Sequence, residues 1–255
     1  MSENYSLMKN EEETKHFIER VLHPLKDDEV YIVVLTARKK YCPTISSSME
    51  VVTRDIIRSN DTNKILRKLR KMSIVENLYT DKNGDIIPIE AFSLYLLPEP
   101  RSMLKAYNEF IKNINEWSYN NLVGDNKDLE LYRKLDVKLF SAIHKSKSKS
   151  NYFILDVDRK NEELLNNILN QIKTKDLSED IGSSLQWQHP LSSSISWISE
   201  THGGYHIILD RNEITGKFIH EFMNKHVPDV EFRKETMTPI VGCLQGGFVV
   251  KEYKL

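Results

Sequence analysis

The run from Asn151 to Lys160, NYFILDVDRK, constrains this chain more than any other stretch. Four large apolar residues, 152–155, read as a buried β-strand. The strand then runs into Asp156 and Asp158. Residues i and i+2 of a strand share a face, so the two carboxylates stand side by side. Like charges that close repel, and one tends to keep its proton. A cation between them removes the conflict, so the stretch predicts a buried strand that delivers two acids to a metal.

The elements around it are mixed. Residues 12–22 read as a helix that ends at His23-Pro24. VYIVVLTA (30–37) is an apolar, β-branched strand, and AFSLYLLP (91–98) is another. Asp61 is placed to cap a basic helix through Met72, and Ser102 to cap one through Tyr119. Residues 73–90 suggest a hairpin around Lys82-Asn83-Gly84. After the serine-rich connector KSKSKSN (145–151) come strand 152–158, helix 161–173, strands 194–199 and 205–209, helix 213–225 and strand 229–233. That order is β-α-β-β-α-β, the split unit of ferredoxin-like and RNA-recognition folds. The expected fold class is α+β, with an RRM-like module over about residues 146–255 and no linker long enough to cut the chain into independent domains. Hydrophobic residues make up 40 % of the chain, enough for a substantial core.

Two further stretches carry chemistry. THGGYHIILDR (201–211) places Gly203 and Gly204 before His206, at the head of an apolar strand. Glycines there let the backbone approach a neighbour or ligand closely. A single histidine in that position is more often packed in a core than used as a ligand. PDVEFRKETMTPIVGCLQGGF (228–248) supplies Asp229 and Glu231, the basic pair Arg233 and Lys234, and a glycine-bearing loop.

Taken together, these stretches resemble the archaeo-eukaryotic primase superfamily, the primase–polymerase group. YFILDVD matches the family's apolar strand ending in Asp-x-Asp, and Gly204-Tyr205-His206 matches its small residue-x-His motif. Asp229, followed by Arg233, Lys234 and IVGCLQGG, looks like its third motif. The resemblance spans about residues 30 to 250, since LTARKKY and LYLLPEPRS look like the family's N-terminal α/β module. It implies one primase-type catalytic domain, with that module over about residues 1–145 packed on the RRM-like module over about 146–255. It also implies template-directed nucleotidyl transfer by a primase or polymerase. Asp156, Asp158 and Asp229 would hold two Mg²⁺ or Mn²⁺ ions, with Glu231 as the rival third acid. His206 would serve the nucleotide triphosphate, beside Gly204, Arg233, Lys234, Arg38 and Lys40. Lys39 and Arg101 are weaker phosphate candidates, each more simply read as solvent-facing. The implied partners are a single-stranded or primer-template nucleic acid and an NTP or dNTP. The zinc-binding cysteine or histidine cluster of many primases is missing, and no helicase domain is expected after Leu255. No structural zinc is expected, and initiation would fall to a helicase or accessory priming protein. Two other classes fit the same carboxylates: a weak or inactive replication-initiator or nucleic-acid-binding module, and a metal-dependent nuclease.

Charge and composition set the remaining limits. From Val30 to Lys71, ten Lys or Arg stand against three acids; from Asn151 to Glu200, four stand against eight. Such separation suits a protein holding phosphates on one side and metal on the other. On charge alone, KILRKLRK is a solvated helix face. Two cysteines, Cys42 and Cys243, read as reduced buried thiols. The polar, acidic N-terminus is no signal peptide, and no apolar run is long enough to span a membrane. The expected location is cytoplasmic or nucleoid-associated, with no membrane partner and no secretion.

Overall fold

The structure is a computed structural model. It describes residues 4–45, 49–72, 74–75, 79–81, 83–123, 134–179, 194–214, 219, 222, 230–233 and 237–254. In chain order the elements are β1 (Asn4–Tyr5), α1 (Glu11–Val21), β2 (Glu29–Arg38), β3 (Met49–Ile57), α2 (Thr62–Lys71), β4 (Ile74–Val75), β5 (Phe92–Ser102), α3 (Met103–Val123), α4 (Leu135–Lys145), β6 (Tyr152–Val157), α5 (Glu162–Glu179), β7 (Ile195–Glu200), β8 (Tyr205–Asp210), β9 (Val230–Arg233), β10 (Thr238–Pro239), β11 (Leu244–Gln245), β12 (Phe248–Val249) and β13 (Lys251–Glu252). The molecule is mixed α+β, and its sheets are antiparallel.

Local chemistry starts the helices where the sequence predicts. The Asp61 carboxylate accepts from the Asn63 and Lys64 amides at the head of α2. Ser102 Oγ accepts from Lys105 N at 3.1 Å and donates to Asp28 at 2.6 Å, fixing the start of α3. Asn10 Oδ1 accepts from the Glu13 amide at the head of α1, and Asn10 Nδ2 donates to Glu13 Oε1.

The first sheet runs β12-β11-β5-β2-β3, and β10 also pairs with β5. Its two faces are apolar in alternation. Tyr31, Val33 and Leu35 enter the main core with Phe17, Ile18, Ile65 and Leu69 from α1 and α2. Val30, Ile32 and Val34 face Ala106, Ala142 and Ile143 from α3 and α4. β5 continues past the predicted 91–98 despite Pro98 and Pro100. Prolines lack the ladder donor, and the β2–β5 register slips between Val30 and Ile32, where they lie. β3 and α4 were not foreseen. β3 is an edge strand that carries Glu50, Arg54 and Asp55, charges that protect an edge and mask the strand pattern.

The second sheet runs β13-β7-β8-β6-β9. Phe153, Leu155, Val157, Ile207 and Leu209 pack on Leu165, Ile168, Leu169 and Ile172 of α5. The alternate residues Tyr152 and Ile208, with Trp197, join the main core of the first sheet. A register shift between Ile195 and Trp197 lets β7 contribute to both cores. The predicted helix 213–225 begins later than expected, since Glu213 and Ile214 lie in a turn. Ile219 and Phe222 are helical and buried in the second core, and the rest of 215–225 lies outside the described residues.

The second sheet begins at Tyr152, but the chain does not stay in it. β10, β11 and β12 return to the first sheet, and β13 then joins the second. Among the described residues no helix is long and apolar enough to cross a membrane.

Candidate active site

β6 and β8 pair with Asp156 directly opposite His206, and on the other side of β6 Asp156 is opposite Glu231 of β9. Directly paired residues of an antiparallel ladder share a face. The register therefore lays His206, Asp156 and Glu231 in a row across three strands. His206 Nε2 lies 3.0 Å from Asp156 Oδ1. The imidazole is 7 % exposed, and its Nδ1 is buried without a hydrogen-bond partner. Asp158 is exposed just past the end of β6.

One cavity gathers much of the predicted set. Asp156, Asp158, Gly203, Gly204 and His206 line it from the second sheet, and Arg38 and Lys40 from the end of β2. Its lining is completed by Tyr95, Thr201, Met237 and Gln245, which sequence reasoning missed. These four carry no local motif, since Tyr95 and Gln245 arrive through the pairing of β5 with β2 and β11.

Gly204 is required by contact and not by a positive φ. A Cβ there would lie 1.8 Å from the Val157 carbonyl oxygen and 2.9 Å from Arg159 N. The loop is closed by Thr201 N donating to Gly204 O at 2.8 Å and Gly204 N donating to Thr201 Oγ1 at 3.2 Å. The glycine thus lets the head of β8 press on the end of β6, where the acids are.

Arg38 is held for its task. Its Nη1 donates to Tyr95 Oη at 2.9 Å, and Gln245 Nε2 donates to the same oxygen at 3.3 Å. Burial works to lower the pKa of the guanidinium, but Tyr95, Tyr41 and Asp156 outweigh it and hold the pKa above its ordinary value. A fixed cation therefore faces the acids. Burial, and then Tyr95, push the Tyr41 phenol well above its usual range, so it remains a neutral hydroxyl.

Other predicted residues fall elsewhere. Arg101 is a correction: it is 2 % exposed on β5 and bridges Lys147 through its backbone, so it neither faces solvent nor lines the cavity. Lys39 is exposed, as expected. Arg233 closes β9 opposite Ile154. Asp229 and Lys234 lie outside the described residues. Of the basic helix, Lys68 pairs with Asp55 at 2.9 Å and Arg70 with Glu11, while Ile65, Leu66 and Leu69 are buried. KILRKLRK is thus an amphipathic packing helix with part of its charge already matched.

Asp156 and Asp158 offer hard oxygen donors of the kind Mg²⁺ and Mn²⁺ prefer, beside two cationic side chains suited to phosphate. That chemistry fits the expected ions. Among the described residues, no group of three or more His, Cys, Asp or Glu closes around a single point. Scans against protein-family models, and searches of curated proteins and of solved structures, return no match.

Proposed function

We propose that the chain is a metal-dependent nucleotidyltransferase of the primase–polymerase kind, acting on a nucleic-acid template with NTP or dNTP. One observation carries this reading: Asp156, Asp158, His206 and Gly204 share a cavity with Arg38 and Lys40. Acids on one sheet face cations on the other, as a site needs that holds both metal and polyphosphate. The strand order β7-β8-β6-β9, with α5 between β6 and β7, supports an RRM-like module, because it is the order of the split β-α-β-β-α-β unit.

Asp156 and Asp158 would hold the ions, with Asp229 or Glu231 as third carboxylate; Glu231 has the advantage of standing opposite Asp156. When bound, such ions supply the charge that activates a 3′-hydroxyl and neutralises pyrophosphate. The protein's own part is positioning. Arg38, clamped by Tyr95, binds a phosphate oxygen without reorganising. Lys40 adds a second cation. His206 Nε2, 3.0 Å from Asp156 Oδ1, orients that carboxylate, and the same imidazole would serve a triphosphate oxygen when nucleotide is bound.

Incubation with a primed template, each NTP and dNTP, and Mn²⁺, followed by sizing of the products, tests the reading. Extended primers are expected. The second reading is a catalytically weak nucleic-acid-binding module, for which the cations Arg38 and Lys40 in the cavity suffice. Binding without extension would select it, and shortened strands would select a nuclease.

A further inference from the structure

Beside the cavity lies a cluster of aromatic rings that the proposed chemistry does not use. Tyr41 and His202 meet edge to face with centroids 4.8 Å apart, and His202 meets Phe248 at 6.3 Å. Lysines surround the rings. Lys40 Nζ is 5.0 Å from the Tyr41 centroid; Lys160 and Lys251 lie 3.9 Å and 6.0 Å from that of Phe248. His202, Lys40, Lys160 and Lys251 are exposed, and Phe248 is half-buried.

The cluster is built, and it adjoins the cavity. Gly246, at φ +61, leaves room for the Tyr41 ring, since a Cβ there would lie 2.5 Å from it. His202 N donates to Gln245 Oε1 at 2.9 Å, and Gln245 lines the cavity. Lys40 belongs to both.

We propose that Tyr41, His202 and Phe248, with Lys40, Lys160 and Lys251, form a stacking platform for single-stranded nucleic acid at the mouth of the acidic cavity. Its purpose, feeding a template strand to the site, rests on the nucleotidyl-transfer reading; its binding does not. Aromatic rings interleaved with cations suit a strand whose bases stack while its phosphates meet ammonium groups. The existing contacts do not block this. Lys160 is paired with Glu200 at 2.6 Å and lies over Phe248. Exposed ion pairs and exposed cation–π contacts are individually weak in water. A base stacked on Phe248 would take the place of the ammonium, whose flexible stem lets it turn to a phosphate.

The test is anisotropy of short labelled oligonucleotides on the whole protein, without metal, over a range of salt. Matched single-stranded DNA, single-stranded RNA and duplex run in parallel with a polyglutamate competitor. Phe248→Leu should weaken single-strand binding by about 5- to 150-fold, and Phe248→Trp should retain it. Lys160→Ala with Lys251→Ala should lower the log–log salt slope by about 0.7 per lysine. Binding of either single strand through Phe248 supports the platform, and the DNA-to-RNA ratio identifies its strand. Absence of single-strand binding overturns the platform. So does binding indifferent to Phe248→Leu, equal binding of duplex, or equal competition by polyglutamate. A wild type that binds through Phe248 but incorporates no nucleotide removes the transferase and keeps the platform. Incorporation with binding indifferent to Phe248 does the reverse.

Discussion

Asp156 stands between an imidazole and a second carboxylate, so its neighbours decide what it can do. Without a cation, Asp156, Asp158 and Glu231 crowd negative charge onto one end of the second sheet. Asp156→Asn with Asp158→Asn should leave the fold intact and abolish primer extension; extension at the wild-type rate would remove the pair from the site. On the proposed reading Asp156 is a metal ligand and His206 acts through it. His206→Ala should raise the half-saturating Mn²⁺ concentration about ten- to a hundredfold, the usual cost of losing a metal ligand's own partner. A lower melting temperature with an unchanged Mn²⁺ titration would make His206 a packing residue. Gly204→Ala should destabilise, because its Cβ meets the Val157 carbonyl. Strain of about 1–3 kcal/mol lowers Tm by about 2–4 °C per kcal/mol in a chain of this size. His202 offers a pH readout. Partial burial, then Lys40 and Lys160, hold its pKa below the ordinary 6.5. The folded state thus resists a proton that the unfolded chain accepts, so this residue's contribution to stability falls as pH drops below about 6.5. Lys40→Ala should move the His202 titration midpoint upward, read by proton NMR; an unmoved midpoint would detach Lys40 from the platform. The acids, His206 and Gly204 were legible because their spacing is local. Tyr95 and Gln245 were not, since only tertiary pairing brings them to the cavity, and Thr201, although it lies just before Gly203, is a residue type that signals no chemistry there.

At the scale of elements, the legible ones had apolar runs or capping residues. β2, β6 and β8 announce themselves by burial on both faces, and α2 and α3 by Asp61 and Ser102. The short strands β10 to β13 span two residues each and carry no period to read. The prolines of β5 hid its far end, where a register slip accommodates them. β11 and β12 also hold Gln245 and Phe248, so their hairpin ties the cavity to the aromatic cluster. Replacing Gly246 with Val should displace Tyr41 and disturb both at once. Oligonucleotide affinity and primer extension should fall together in that variant, and a loss of one alone would show that the hairpin does not couple them.

Across the whole molecule, the main core takes side chains from both sheets: Leu35, Leu94 and Leu96 from one, Tyr152, Trp197 and Ile208 from the other. A core held in common predicts one cooperative unfolding event. Calorimetric and van't Hoff enthalpies should agree, and two resolved heat transitions would show that the sheets melt apart. The interlaced strand order also has a consequence for how the chain comes into being. A ribosome delivers residues from the N-terminus onward at about 5–20 per second. The first sheet, begun at Glu29, waits for strands that start at Thr238, and the cavity lacks Gln245 until almost the last residues have emerged. A nascent chain halted anywhere short of β10 therefore displays unfinished sheet edges, the surface on which chains aggregate, and a cavity still missing one wall.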